Sequence, residues 1–318
     1  MVKQEAHSTQ LDALMERLVA GDAAALARCI TLAEGGDYAT IVRQRIGALA
    51  GRASVVGFTG APGVGKSTLI DAYIAELRRR GHSVAVAAVD PSSPLSGGAV
   101  LGDRIRMHRH NADPGVFIRS IASRNHLGGL SESIHWTVDA MDAAGRDVVI
   151  IETVGTGQSE VEVAEIADVC VVVNAPGLGD DVQAIKAGVL EIADVLVVNK
   201  ADTPLADQTV RQLHGMLKLR ARARQDVPVV MTTATKGHGV EDLHAAITRL
   251  LRTTPEEKTR ARRRRMRRLL AQSAANLARR LVLEESGDHI DALLDAVACG
   301  ETTFEAAAAR ALAKRTGR

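Results

Sequence analysis

Val55-Val56-Gly57-Phe58-Thr59-Gly60-Ala61-Pro62-Gly63-Val64-Gly65-Lys66-Ser67-Thr68 is the stretch on which the fold turns. The apolar run 55–59 predicts a buried strand, and helical spacing over 68–80 predicts a helix. Gly60 to Ser67 between them match G-x-x-x-x-G-K-[ST] in the strand-loop-helix setting which that pattern requires. Each residue type has a physical reason. Glycines let backbone N–H groups converge on phosphate oxygens, and a helix N-terminus adds positive potential. A lysine at Lys66 reaches the β- and γ-phosphates, and a hydroxyl at Ser67 ligates Mg²⁺. The nucleotide-binding positions of the loop are therefore Gly60, Gly63, Val64, Gly65, Lys66, Ser67 and Thr68.

Working outward, short β-branched runs at 84–89, 116–118, 148–151, 169–173, 195–198 and 229–231 alternate with helical stretches. Near-continuous Val/Ile runs imply strands buried on both faces, so the fold class is α/β, a mostly parallel sheet flanked by helices. Before the loop, Leu11, Leu14, Met15 and Leu18, then Leu26, Ile30 and Ala33, recur at helical spacing. After Pro255 no strand signal remains, and Met266, Leu269, Leu270, Leu277 and Leu281 mark a long helix. Three zones follow: an N-terminal helical extension at 1–50, a P-loop domain at 51–254 and a C-terminal helical arm at 255–318. The arm has little to bury alone and is expected to pack on a second copy as a homodimer.

Composition narrows the function classes. The 318 residues carry 40 Lys+Arg against 38 Asp+Glu, with the hydrophobic share of an ordinary globular protein. Six aromatic residues (Phe 3, Tyr 2, Trp 1) are too few for the stacking platforms of a single-strand nucleic-acid binder. Charge is uneven: 258–268 holds eight basic residues and no acid, a patch that reads first as a solvated helix surface. Cys29, Cys170 and Cys299 lie far apart and form no C-x-x-C pair, which fits neither a disulfide framework nor a cysteine zinc site. No apolar run approaches the ~18 residues of a membrane span, so a soluble, cytoplasmic protein is expected.

Asn199-Lys200-Ala201-Asp202 directly follows the run 195–198, at the carboxyl end of a strand where a base would lie. A carboxylate at Asp202 can accept from guanine N1–H and N2–H₂, which adenine cannot supply, so the motif selects GTP over ATP. Thr232-Thr233-Ala234 follows the next strand, with Thr233 and Ala234 at the base edge. Asp90, Asp103 and Glu152 stand at or near strand ends, where carboxylates can hold Mg²⁺ through its water shell. Gly155 is placed to donate its N–H to the γ-phosphate. His108-Arg109-His110 reads as solvated surface rather than a metal site.

The ordered set of motifs is more specific than any member. The loop at 60–68, Val89-Asp90-Pro91-Ser92-Ser93, Leu127-Gly128-Gly129-Leu130, Glu152-Thr153-Val154-Gly155-Thr156-Gly157-Gln158-Ser159-Glu160, Gly179-Asp180-Asp181-Val182-Gln183-Ala184-Ile185-Lys186 and Asn199 to Asp202 together resemble the MeaB/ArgK-type GTPases over roughly residues 20–250. These are chaperones associated with methylmalonyl-CoA mutase. The resemblance implies a GTPase that gates cobalamin loading and protects or reactivates an adenosylcobalamin-dependent acyl-CoA mutase, with GTP/GDP and Mg²⁺ as cofactors. It also places Asp90, Asp103 and Glu152 in magnesium and switch positions, and Gln183 to Lys186 in a switch segment answering to the mutase. Lys186 is the candidate for a transition-state cation ordered by that partner. Thr156 stands where Val is usual and Thr233 where Ser is usual, both small departures. Three rivals remain: a nickel-delivery GTPase, which would need Cys/His ligands near the switches, a nucleic-acid regulator resting on 258–268, and a small-molecule kinase.

Overall fold

The computed structural model describes residues 2–91, 107–110, 112–123, 129–153, 163–177, 190–218, 226–251, 255–284 and 288–313. Three helices, α1 (Val2–Val19), α2 (Ala23–Glu34) and α3 (Ala39–Leu49), precede the sheet. Seven strands follow: β1 (Ser54–Thr59), β2 (Val84–Pro91), β3 (Val116–Ser123), β4 (Val148–Glu152), β5 (Val169–Asn174), β6 (Val195–Val198) and β7 (Val229–Met231). They form one parallel sheet in the order β3-β2-β4-β1-β5-β6-β7, which bears out the expected class. The loop strand β1 thus lies at the centre, between β4 and β5.

Parallel strands need crossover helices, and these cover both faces. The helix α4 (Lys66–Arg79) lies between β1 and β2, α5 (Gly129–Ala143) between β3 and β4, α6 (Ala206–Leu217) between β6 and β7, and α7 (Val240–Leu251) follows β7. Alternate residues of one strand serve opposite cores. Val149 and Ile151 join Leu18, Leu26, Ile30 and Ile46 of the N-terminal helices and Val138 of α5. Val148 and Ile150 join Leu69, Ile70 and Tyr73 of α4 and Leu243 of α7. Residues 1–50 therefore complete the cover of one sheet face.

Acids anchor the strand entrances. Asp142, at the end of α5, accepts from the backbone N–H groups of Gly51 (2.6 Å), Arg52 (3.1 Å) and Ala53 (3.1 Å), which sets the chain as it enters β1. Asp168 accepts from Val55 N (2.9 Å) and Asp194 from Cys170 N (2.8 Å) in the same manner. Hydrogen bonds to charged acceptors contribute about 1.5–3 kcal/mol each, enough to fix strand register beside a central loop.

The contacts group residues 1–125 and 129–263 into one unit and 126–128 and 264–318 into another. Within the first, Arg262 turns inward from the basic run and donates to Gly47 O (3.0 Å), so that part of the run is structural. The second unit holds the later part of α8 (Pro255–Glu284), α9 (Asp288–Ala298) and α10 (Phe304–Ala313). There Met266, Leu270, Leu277, Leu283, Leu294 and Phe304 are exposed, and Ala307 is the one buried apolar residue among those described.

Candidate functional site

The loop between β1 and α4 is set by its glycines. Gly60 (φ 140°) leaves no room for a side chain, since a Cβ would fall 2.1 Å from Val173 O of β5. Gly65 (φ 92°) precedes α4 in the left-handed region, and a Cβ there would lie 2.5 Å from Asn199 Nδ2. The helix starts at Lys66, two residues earlier than its sequence periodicity suggests, because Leu69 N already bonds Gly65 O (2.9 Å). Lys66 is buried, and its ammonium donates to Gly60 O (2.7 Å) and Ala61 O (2.9 Å), so the charge is held over the loop itself. Thr68 is exposed in the first turn.

At the strand ends, β4 runs one residue beyond its Val/Ile run and ends on Glu152. Glu152 Oε1 accepts from Ser67 Oγ at 2.6 Å, and both side chains are buried. Beneath them Thr153 Oγ1 and Thr59 Oγ1 are 3.0 Å apart, which ties the ends of β4 and β1 together. Asp90 is the penultimate residue of β2, in register with Ala122 of β3. Asp103, Gly155 and Lys186 lie outside the described residues.

The base motif is interlocked with the phosphate loop. Asn199 Nδ2 donates to Val64 O (2.9 Å), while Oδ1 accepts from Thr232 Oγ1 (3.1 Å) and Ala234 N (3.2 Å). Lys200, at φ 55°, donates from Nζ to Gly63 O (2.7 Å). One asparagine and one lysine thus join the ends of β6 and β7 to the loop of β1. Thr233 bonds His238 O through its backbone N–H (3.0 Å), closing a tight turn around the buried Ala234. Asp202 is half exposed and pairs with Lys236 (3.0 Å), whose ammonium holds its carboxyl below the usual carboxylate range. Asp202 is therefore an ionised acceptor at neutral pH.

Sequence reasoning placed Thr232 in the base-edge loop without its bond to Asn199, and missed Lys236 and a cluster behind the loop. Thr232 carries no spacing signal of its own, and Lys236 is reached only once the turn after Ala234 is known. His110, expected at the surface, is buried: its Nε2 lies 3.0 Å from Asp71 Oδ1 on α4, and Arg109 Nη2 lies 2.7 Å from Asp71 Oδ2.

Sheet, loop and interlocked base motif define a P-loop nucleotide-binding protein of the GTPase class. The family model described as Methylmalonyl Co-A mutase-associated GTPase MeaB matches residues 26–289, and the chain belongs to that family. A relative from Pyrococcus horikoshii is 51% identical over 238 residues, 73% of this chain and 75% of that one. GTPase ArgK of Escherichia coli is 40% identical over 243 residues, 73% of each chain. The crystal structure of a LAO/AO transport system kinase superposes with a TM-score of 0.75 at 26% identity, covering 97% of this chain and 98% of that one. The chain is a GTPase that binds GTP and GDP. Among the described residues no helix is long and apolar enough to cross a membrane.

Proposed function

We propose that the chain hydrolyses GTP in the service of an adenosylcobalamin-dependent acyl-CoA mutase, gating cofactor loading and protecting or reactivating that enzyme. The observation that carries the GTP reading is the interlock: Asn199 and Lys200 bond Val64 O and Gly63 O, so base recognition and phosphate binding share one rigid framework. Asp202 reads the guanine edge, with Thr233 and Ala234 flanking it, and Gly60 to Thr68 cradle the phosphates. The family's description supports the mutase as partner.

Magnesium fits the residues present. Ser67 Oγ and Glu152 Oε1 are hard oxygen donors 2.6 Å apart, and Mg²⁺ prefers a few such ligands with phosphate and water completing its shell. Ser67 and Glu152, with Asp90 and Asp103, would hold it, and bound there it neutralises charge on the phosphates. Lys66 places a second positive charge at the β- and γ-phosphates, and Gly155 offers its N–H to the γ-phosphate. Lys186 belongs to a switch segment that the mutase orders.

The chemistry of that last step sets its test. A cation supplied only in a complex contributes ~10³–10⁵ in rate in other GTPases. GTP turnover should be slow alone and rise by orders of magnitude on adding mutase, and Lys186→Ala should lose most of the rise while keeping basal rate and affinity. No stimulation by methylmalonyl-, isobutyryl- or 2-hydroxyisobutyryl-CoA mutase would contradict the partner assignment.

The helical arm at 255–318 pairs two copies in this reading, because Leu270, Leu283 and Phe304 are each at least 66% exposed. Such side chains, when covered, contribute about 1.5–3 kcal/mol each. Light scattering at micromolar concentration should give twice the 33.6 kDa chain mass, and a monomer would contradict the pairing.

A further inference from the structure

Lys236 sets a cation against the carboxylate that a guanine edge requires. It closes the 3₁₀ turn Ala234–Lys236 after β7, while Asp202 follows β6, so their ion pair bridges the two base loops. The turn fixes its backbone: Lys236 N donates to Thr233 O (2.9 Å) and Gly237 N to Ala234 O (3.2 Å), and Gly237 ends the turn at φ 71°. From there the ammonium reaches Asp202 Oδ2 at 3.0 Å, with the two side chains 56% and 44% exposed, so a ligand can enter between them from solvent. Neighbouring donors are already engaged in the framework. Thr233 N bonds His238 O (3.0 Å), Ala234 N bonds Asn199 Oδ1 (3.2 Å) and Lys200 Nζ bonds Gly63 O (2.7 Å). The Lys236 ammonium carries three hydrogens, and its bond to Asp202 uses one of them.

We propose that Lys236 reads guanine O6 and is a second specificity-determining residue of the base site, beyond its part as counter-ion of Asp202. This rests on the reading that Asp202 accepts from guanine N1–H and N2–H₂. Guanine presents those two donors beside the O6 acceptor, with O6 next to N1. An ionised carboxylate has only acceptors and cannot serve O6, whereas an ammonium has only donors. The adjacent Asp202–Lys236 pair therefore matches the edge in both signs. As N1–H and N2–H₂ take the carboxylate, the ammonium beside Oδ2 turns to O6, a shift that its flexible four-carbon stem permits while the turn stays fixed. Adenine carries an amino group where guanine has O6, which sets a donor against a donor.

The test uses the full-length protein and titrations with GDP and 6-thio-GDP. The thio analogue keeps N1–H and N2–H₂ and places sulfur, a weak acceptor, at position 6. Wild type should prefer GDP about tenfold, the low end for a hydrogen bond to a charged group, as suits a half-exposed site. Lys236→Met keeps the length and removes the donors. It should weaken GDP about tenfold and shrink the preference to within about twofold, the coupling expected when side chain and base atom are partners. Lys236→Arg, which keeps charged donors, should recover most of the preference. A lysine that served only as counter-ion would compete with guanine for Asp202, so its loss would strengthen GDP. That sign would overturn the proposal, as would an undiminished preference for GDP in the methionine variant. Asp202→Asn separates this proposal from the reading beneath it. If Asp202→Asn inverts the choice between GDP and xanthosine diphosphate while Lys236→Met leaves GDP binding unchanged, the role of Lys236 fails and that of Asp202 stands. If Asp202→Asn produces no inversion, the guanine reading itself fails, and recognition of O6 fails with it.

Discussion

Lys66→Ala should reduce GTP turnover by at least ~10²–10³-fold, the scale on which a group aimed at developing negative charge contributes. The ammonium is buried and held 2.7 Å from Gly60 O and 2.9 Å from Ala61 O, so it waits at the loop without having to be recruited from solvent. As the γ-phosphoryl group leaves, negative charge gathers on the β–γ bridge, and a fixed cation there stabilises the transition state more than the ground state. Methionine, of similar length and no charge, should be as poor as alanine. Arginine should not restore activity either, because a planar fork cannot take the place of a compact ammonium between two loop carbonyls. Single-turnover hydrolysis at saturating GTP is the measurement. Turnover within threefold of wild type would remove Lys66 from the chemistry.

Asp202→Asn should invert base preference, weakening GDP by roughly a hundredfold and strengthening xanthosine diphosphate by a similar factor, as expected for a bidentate pair. The carboxylate accepts twice from the guanine edge. An amide keeps one acceptor for N1–H and turns the other position into a donor, which faces the xanthine carbonyl favourably and the guanine amino group unfavourably. The pair with Lys236 does not prevent this exchange. It is exposed on both sides, and such pairs are screened and contribute little, so guanine can replace the ammonium at small cost. Titration of wild type and variant with both diphosphates checks the inversion. A variant that weakens GDP with no gain for the xanthine nucleotide would mean that Asp202 acts on the turn rather than on the base.

The central strands were legible because burial on both faces leaves a continuous apolar run: β6 (Val195–Val198) begins and ends where the sequence pattern does. β3 was legible only at its start. It is an edge strand, and Arg119, Ser120, Ala122 and Ser123 carry no apolar signal although they pair with β2 in full register. The loop and the base motif were readable because backbone geometry restricts them to glycine, lysine and asparagine at fixed spacing. Their interlock was not, since Asn199 and Val64 meet only when β1, β5 and β6 are side by side. His110 shows the same limit from the other side. Its neighbours are polar, so local sequence reads as surface, while the partner that buries it, Asp71, arrives from another helix.

A protein whose phosphate loop and base loop form one guanine-reading framework must distinguish GDP from ADP, which offer the same phosphates and differ only at the base edge. Competition of unlabelled GDP and ADP for a fluorescent guanine nucleotide on the wild-type chain isolates that difference. GDP should displace the probe at a concentration at least a hundredfold below that required of ADP. Displacement by both at the same concentration would contradict guanine recognition by Asp202 and the assignment built on it.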